Sequence, residues 1–123
     1  MAKGKDKELK VLISLAMDIV GVAVTIIDIK GTLLYYNKEA AKILDRNPEY
    51  IGNDVHSHHQ KETSNEKLDM ILQNFKNGRT EPFHYEAKPY GNTILVTLLP
   101  ILNKGRLIGC LQSVQLKEDL ELT

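Results

Sequence analysis

Residues 21–44, GVAVTIIDIKGTLLYYNKEAAKIL, hold the pattern that decides the fold. The segment begins with a β-branched, apolar run that ends at Asp28, and such a run is typical of a buried strand. Gly31 lies where a tight turn requires a positive φ angle, and TLLYY then returns to a strand pattern. After Asn37 the apolar residues recur at helical spacing. We therefore predict a β-hairpin followed by a helix whose first backbone donors are capped by Asn37.

The segment before this hairpin, KELKVLISLAMDIV at residues 7–20, predicts an amphipathic helix. One face of this helix carries the apolar residues Leu9, Leu12, Ile13, Ala16 and Val20. We assign residues 1–20 to the N-terminal helix, 21–117 to the globular domain, and 118–123 to a tail or to the start of a connector.

Two helical signals follow the hairpin. Asn47 and Pro48 are residue types favoured at the cap and at the first position of a short helix. Thr63 and Glu66 then have the spacing of a capping box ahead of an apolar stripe, and Gly78 follows that stripe where a left-handed residue commonly ends a helix. The second signal is the strongest helix prediction in the chain.

The last third of the chain has strand character. TEPFHYEAK alternates apolar and polar residues, NTILVTLLPIL is a long apolar run, and RLIGCLQSVQL follows a turn at residues 103–105. Strands on both sides of a helical block favour an antiparallel α+β domain over a parallel sheet.

The composition limits the classes of partner. The chain has 123 residues, which suits one compact domain. Lys and Arg total 16 and Asp and Glu total 16, so no net positive charge attracts nucleic acid or an anionic membrane, and we expect neither as a partner. One cysteine, Cys110, leaves no disulfide framework, and no apolar run has membrane-spanning length. The charged N-terminus has no apolar signal core behind it, so we predict a cytoplasmic protein.

The order of these motifs resembles that of a PAS domain over nearly the whole chain. The segments that carry the resemblance are IIDIKGTLLYYNKEAAKIL, YIGNDV, FKNGR and LVTLLPILNKGRLIGCLQSV. Asp28 and Gly31 match the turn between the first two strands of the family. Pro100 matches a late proline whose missing N–H the sheet does not need, and Gly109 matches a place where another element approaches closely. The resemblance implies a PAS fold, with a five-stranded antiparallel sheet and connecting helices on one face.

A narrower resemblance concerns residues 50–63, YIGNDVHSHHQKET, and the helix end ILQNFKNGR. These segments are similar to PAS modules found beside hemerythrin-like domains, which carry an IG-x-D-V motif and a C-H-P-P-K-S-like segment. In this correspondence His58 falls on the family cysteine, His59 on its histidine and Thr63 on its serine. The two residues after His59 are Gln and Lys, where the family motif has two prolines.

PAS domains hold a small molecule, or only contact a partner, between the sheet and the helices that cross it. The resemblance implies a pocket with walls from the long helix and from the facing side of the sheet. The predicted cofactor-binding wall residues are Leu68, Ile71, Leu72, Phe75, Val96, Leu98 and Leu111. The same helical stripe would also exist as ordinary core without any ligand.

The histidines before the long helix raise the question of a metal or cofactor. Haem-binding PAS domains resemble this chain in having a histidine in or near that helix, and a neutral imidazole in an apolar pocket is a good iron ligand. If haem is bound, we expect His59 to be its ligand, with His58 or His56 next. Two alternatives stay open, a solvated turn and a bare Zn²⁺ or Ni²⁺ site. The sequence does not identify the cofactor.

Other chemistry has little support in the sequence. The residues around Cys110 do not resemble the NCRFLQ motif of flavin photosensors, and we expect this cysteine to be a small buried side chain. No paired carboxylates, nucleophile elbow or glycine-rich phosphate loop is present, so we predict that the protein is not an enzyme. His84 lies on an alternating strand and is predicted to be a surface residue.

Together these observations predict a cytoplasmic sensory module for signal transduction. Occupancy of an internal pocket by a small ligand or cofactor would act on a homodimer or on an output helix. In PAS proteins a helix before the first strand commonly forms a two-fold contact, and the apolar stripe of the N-terminal helix suits that role. The alternative for the stripe is that it covers the domain's own sheet.

A second hypothesis for the function of the chain involves contacts with partner proteins only. The tail LKEDLELT resembles the start of a connector to an effector or partner protein. The alternative function is a ligand-free interaction module, in which the fold mediates only dimer or partner contacts.

Overall fold

The computed structural model of the protein describes residues 2–44, 48–53, 62–88 and 91–117. Its helices and strands follow the predicted order. In chain order they are α1 (Ala2–Ile19), β1 (Ala23–Asp28), β2 (Leu33–Tyr36), α2 (Lys38–Ile43), a 3-10 turn (Pro48–Tyr50), α3 (Glu62–Lys76), β3 (Phe83–Ala87), β4 (Ile94–Asn103) and β5 (Arg106–Leu116).

The five strands form one antiparallel sheet in the order β2-β1-β5-β4-β3. The strands β1 and β2 form one hairpin and β4 and β5 form another. Because β1 also pairs with β5, the first and last strands of the domain lie side by side. The helices α2 and α3 occur between β2 and β3 and so connect the two edges of the sheet. The predicted α+β class with a five-stranded antiparallel sheet is confirmed.

The turn between β1 and β2 is built by Asp28 and Gly31. The Oδ1 atom of Asp28 accepts hydrogen bonds from the backbone N–H groups of Lys30 and Thr32, both at 2.9 Å. Gly31 has a φ angle of 90°, which residues with a side chain rarely adopt. The predicted turn is therefore confirmed, and the carboxylate satisfies backbone donors within it.

Gly109 allows β1 and β5 to approach each other closely. A Cβ atom at this position would lie 2.7 Å from the carbonyl oxygen of Ile27, which is shorter than real contacts of this type. The close approach predicted at this glycine is confirmed, and the approaching element is β1.

We call the side of the sheet that packs against α3 the inner face, and the opposite side the outer face. Paired residues of neighbouring strands point to the same face, so the strand register assigns each residue to one of them. One buried cluster fills the space between the inner face and the helices. Its members are Ala23, Ile27, Leu33, Ala40, Ile71, Leu72, Phe75, Ile94, Val96, Leu98, Cys110 and Val114. The helix α3 therefore lies against the inner face, as predicted.

The start of α3 differs from the sequence prediction. The helix begins at Glu62, so Thr63 lies inside it and is not the N-cap that the capping-box spacing predicts. The helix α1, Ala2–Ile19, lies within residues 1–20, which were assigned to the N-terminal helix. Its first residues, AKGKD, have no apolar periodicity, so the hydrophobic spacing alone begins only at Lys7. The predicted cap Asn47 lies outside the described residues.

Candidate functional site

The predicted wall residues of α3 and β4 meet in the core. Those that are at most 4% exposed are Ile71, Leu72, Phe75, Val96 and Leu98. Leu68, one turn earlier on α3, is half-buried and packs against the same cluster. These residues therefore come together as the sequence predicts, and ligand binding by them stays a prediction.

Leu111, the remaining wall residue, does not face α3. Its neighbour Cys110 belongs to the core cluster, and successive residues of a strand point to opposite faces. Leu111 pairs with Ile26 on β1 and with Leu99 on β4, and this places it on the outer face. The prediction of Leu111 as a pocket wall is wrong, because β5 has apolar residues on both faces and its sequence does not reveal which of them point inward.

A row of inner-face residues crosses the middle of the sheet. From edge to edge it consists of Tyr36, Thr25, Gln112, Leu98 and Phe83. Thr25 is 2% exposed, and its Oγ1 atom is buried without a hydrogen-bond partner among the described residues. Gln112 is half-buried and lies directly across from Thr25 on β5. The inner face therefore combines a polar pair on β1 and β5 with an apolar surface on β4.

Aromatic contacts hold α3, and the turn after it, to the edge strand β3. The Nζ atom of Lys67 lies 4.2 Å from the centre of the Tyr85 ring, and the guanidinium carbon of Arg79 lies 3.7 Å from the centre of the Phe83 ring. Phe83 also meets Phe75 edge-on, with 5.6 Å between the ring centres. Sequence spacing does not reveal these contacts, because only the fold brings the helix and the strand together.

The Asn37 side chain joins three parts of the structure. Its Oδ1 accepts hydrogen bonds from the backbone N–H of Val24 on β1, at 2.9 Å, and of Ala40 on α2, at 3.0 Å. Its Nδ2 donates to the carbonyl oxygens of Met17 on α1 and of Val22, both at 2.7 Å. With four bonds, this amide in a residue only 1% exposed uses all of its donors and acceptors. The predicted cap of α2 is confirmed, and the same side chain also fixes the end of α1.

A second contact holds the end of α1 beside α2. The Oδ1 atom of Asp18 accepts a hydrogen bond of 2.8 Å from the backbone N–H of Lys38. An open groove of about 440 Å³ lies next to this contact, and its lining includes Ser14, Tyr35 and Ile51. The groove runs between α1 and the β2–α2 segment, and none of the predicted wall residues lines it.

The histidine cluster on which the haem and metal predictions depend lies outside the described residues. Its members are His56, His58 and His59. The remaining histidine, His84, is exposed on β3, with its Nδ1 atom 3.1 Å from the Oγ1 of Thr97, so it is a surface residue as predicted. In the part of the chain that the structure describes, no group of three or more His, Cys, Asp or Glu side chains is placed to hold a metal ion.

Cys110 is a buried side chain of the core, 1% exposed. Burial raises the pKa of its thiol from 9.0 to about 12, and a hydrogen bond with the backbone of Leu99 acts in the opposite direction. The thiolate is the nucleophilic form of cysteine, so this thiol is inert near neutral pH. The prediction of a small buried side chain is confirmed.

The apolar stripe predicted on the N-terminal helix is exposed. Leu9, Ile13 and Val20 are each 53% exposed, Leu12 is 63% exposed, and Ala16 is also exposed. Further exposed apolar residues of the helix are Val11, Leu15 and Ile19. The alternative in which the stripe covers the domain's own sheet is therefore wrong for this structure. None of the helices within the described ranges has the length and hydropathy needed to cross a membrane.

The fold matches solved structures of other proteins. The C-terminal domain of a protein from Streptococcus mutans has a TM-score of 0.73 and 21% identity, over 90% of this chain and 87% of that chain. The PAS domain of a protein from Colwellia psychrerythraea has a TM-score of 0.68 and 18% identity, over 87% of this chain and 95% of that chain. A sensory box sensor histidine kinase from Vibrio cholerae has a TM-score of 0.63 and 14% identity, over 94% of this chain and 97% of that chain.

The sequence itself carries the family assignment. No curated protein matches the chain. Residues 13–115, however, match the sequence pattern of the PAS domain. This match covers most of the chain and includes β1 to β4, all of β5 except Leu116, and α2 and α3 with Asn37 before α2. The protein therefore belongs to the PAS domain family.

Proposed function

We propose that this PAS domain is a sensory module for signal transduction, which binds a small ligand between α3 and the inner face and passes its state to α1. PAS domains are generally sensory modules and not enzymes, and the family match supports this part of the proposal. The observation that carries the proposal is the Asn37 side chain, because it bonds at once to α1, β1 and α2.

The Asn37 bonds give a physical route from the core to α1. Ala40, the α2 residue that Asn37 caps, is 0% exposed and belongs to the core cluster. A ligand that displaces this cluster shifts α2 relative to β1, and the shift strains the bonds from Asn37 to Met17 and Val22. Leaving a buried polar group unpaired costs about 1–3 kcal/mol, so α1 is expected to move with Asn37. The ligand shifts the equilibrium between the two positions of α1 only to the extent that it binds one of them more tightly than the other.

We also propose that α1 forms a homodimer contact. Six large apolar residues of α1 are at least 53% exposed, which is more apolar surface than a single helix normally leaves in water. Leu9, Leu12 and Ile13 have the spacing of one helix face. A second copy of α1 packed on this face would bury both stripes in one symmetric contact. The predicted connector, residues 118–123, lies outside the described residues.

The ligand class includes haem as one member. If the ligand is haem, His59 would supply the imidazole nitrogen for the iron, with His58 or His56 next, and the apolar residues of α3 and β4 would line its site. Haem would supply the redox and gas-binding chemistry of its iron. A colourless small molecule would use the same apolar walls without the histidines.

Native mass spectrometry and an absorption spectrum of the purified protein test the ligand proposal. A bound mass with a Soret band that disappears in a folded His59→Ala variant would identify haem. A bound mass without colour would identify another small ligand. Protein that carries no bound mass after gentle purification would contradict the sensory proposal.

Hydrogen exchange tests the coupling separately. Release of the ligand should change the exchange rates of the α1 amides in the natural protein. The same release should leave them unchanged in Asn37→Ser, which keeps an acceptor for the α2 cap but has no side-chain amide to bond to Met17. Equal responses in the two proteins would contradict the role of Asn37.

One observation favours the ligand-free interaction module as the second candidate. The wall residues of α3 and β4 are at most 4% exposed and pack in one cluster, as an ordinary core does. In that case the protein has the mass of its chain alone, 13.9 kDa per subunit, and no added small molecule changes its thermal stability. The exposed α1 then remains the functional surface.

A further inference from the structure

The side-chain hydroxyl of Thr25 is buried in the core of the domain. Thr25 lies on β1, in the middle of the inner face, and is 2% exposed. Its Oγ1 has no hydrogen-bond partner among the described residues. Buried hydroxyls normally have such a partner, because losing their bonds to water without replacement is unfavourable. Valine has nearly the same shape and avoids this cost, so stability alone does not account for threonine at this position.

The surroundings of Thr25 have the character of a small-molecule site. On β1, the neighbouring residues of Thr25 on the same face are Ala23 and Ile27, which are both buried and apolar. Gln112, a polar residue, lies directly opposite Thr25 on β5. Binding sites for small molecules are typically apolar surfaces with a few polar groups that fix the orientation of the ligand.

The charge of the site limits the chemistry of the ligand. Within the described ranges the buried polar side chains are Thr25 and Asn37, and neither carries a charge. The Asn37 amide is fully used by its four hydrogen bonds. An ionised ligand group would need a buried partner of opposite charge, and the described inner face offers none.

We infer that the space between α3 and the inner face takes a small uncharged molecule with a carbonyl or hydroxyl oxygen, which accepts a hydrogen bond from the Thr25 hydroxyl. The rest of the molecule is apolar and packs against the walls on α3 and β4. This inference rests on the proposed function, since it names the class of ligand for the same space between α3 and the inner face, and it favours an uncharged ligand over haem, whose propionates are charged.

Three six-membered ring probes of similar size test the inference. Cyclohexanone carries an uncharged oxygen acceptor, cyclohexane has no acceptor, and cyclohexanecarboxylate is charged. We expect cyclohexanone to perturb the amide NMR signals of the inner face and to bind more tightly than the other two. Thr25→Val should weaken cyclohexanone binding by about tenfold and leave cyclohexane binding unchanged. The matched control is Ser113→Ala on the outer face, which should bind all three probes as the natural protein does.

Thermal unfolding of the same variants separates binding from folding. Thr25→Val should be as stable as the natural protein or more stable, because it removes an unpaired buried hydroxyl. A large loss of stability would show that the hydroxyl is bonded within the fold and would overturn the inference. Binding of cyclohexane and cyclohexanone with equal affinity would overturn the ligand class and leave the proposed function standing. Failure of all three probes to bind would overturn the ligand class, whereas only a purified protein without any bound mass would overturn the proposed function.

Discussion

The side-chain nitrogen of Asn37 donates a 2.7 Å hydrogen bond to the carbonyl oxygen of Met17, 20 residues earlier in the chain. Met17 lies in the last turn of α1, where the carbonyl groups have no partner within the helix. The same amide accepts a bond from Ala40 in the first turn of α2. One buried side chain therefore caps the end of one helix and the start of another.

Replacing Asn37 tests how much this double cap contributes. Asn37→Asp keeps the acceptor for α2 but turns a charged oxygen toward the carbonyls of Met17 and Val22. Because the residue is 1% exposed, we expect the free energy of unfolding to fall by about 3 kcal/mol in urea denaturation. Asn37→Ser keeps a cap residue for α2 without the buried charge, and its loss should be smaller. An Asn37→Asp variant as stable as the natural protein would contradict the double-cap role.

Polar substitutions on α3 test the core between the helix and the sheet. Phe75→Ser and Leu72→Asn each place a polar group where the natural side chain is at most 4% exposed. We expect each to lower the free energy of unfolding by about 3–5 kcal/mol and to weaken ligand retention. Met70→Asn is the control, because Met70 is 49% exposed on the same helix and should change stability little. Unchanged melting temperatures in both core variants would show that the wall assignment is wrong.

Gly109→Ala tests the close approach of β1 to β5. The added Cβ would lie 2.7 Å from the Ile27 carbonyl oxygen, so the central strands must separate. We expect a loss of about 1–3 kcal/mol in the free energy of unfolding. Gly4→Ala on α1 meets nothing within 4 Å and should instead stabilise the helix slightly. If both alanines have the same small effect, the two strands have room that the structure does not show.

The raised pKa of the Cys110 thiol predicts a pH dependence of stability. The thiol pKa is about 12 in the folded protein and 9.0 for an ordinary cysteine. The folded state therefore favours the protonated thiol, and the contribution of Cys110 to stability is full below pH 9 and falls as the pH rises toward 12. Comparison with Cys110→Ala isolates this term from other groups that titrate in the same range. We expect the free energy of unfolding of the natural protein, relative to that of Cys110→Ala, to decrease between about pH 8 and about pH 10.5. Urea denaturation of both proteins at these two pH values measures the change.

Alkylation gives a second measurement at the same cysteine. Iodoacetamide at neutral pH should leave the folded protein unmodified and react once urea unfolds it. Rapid alkylation of the folded protein would show that the thiol is accessible, against its 1% exposure.

The homodimer proposal predicts a change of mass in solution. The natural protein should sediment as a dimer, and Leu12→Lys should sediment as a monomer, because Leu12 is 63% exposed on the stripe of α1. Leu102→Lys is the matched control, since Leu102 is 44% exposed and lies at the end of β4 and not on α1. A natural protein that sediments as a monomer at high micromolar concentration would contradict a contact through α1. Loss of the dimer to the same extent in both variants would also contradict it.

Local turn chemistry made much of the fold predictable. The strand RLIGCLQSVQL coincides with β5, Arg106–Leu116, because the residues of the preceding turn have backbone preferences of their own. The Asp28 and Gly31 turn was predictable for the same reason. The start of α3 was not predictable in this way, because residues with the spacing of a capping box can also lie inside a helix that begins earlier in the chain.

The candidate site was predictable only in part. The spacing of the α3 stripe identified its buried residues, because helical periodicity separates inward from outward positions. Leu111 was assigned to the wrong face, because a strand that is apolar on both faces has no alternation to read. The residue type and position of Asn37 predicted a helix cap. Its bonds to Met17 and Val22 could not be predicted, because they depend on how the tertiary structure brings the end of α1 next to α2.

The position of the Asn37 bond also determines how far a small rearrangement reaches. The helix α1 has 18 residues and is held near its C-terminal end, while most of its length stands free of the sheet. At the usual rise per residue the helix extends about 23 Å from this pivot to Ala2. A tilt of about 10° at Asn37 would then move the far end of the helix by about 4 Å, so α1 would act as a lever arm that enlarges small changes in the core.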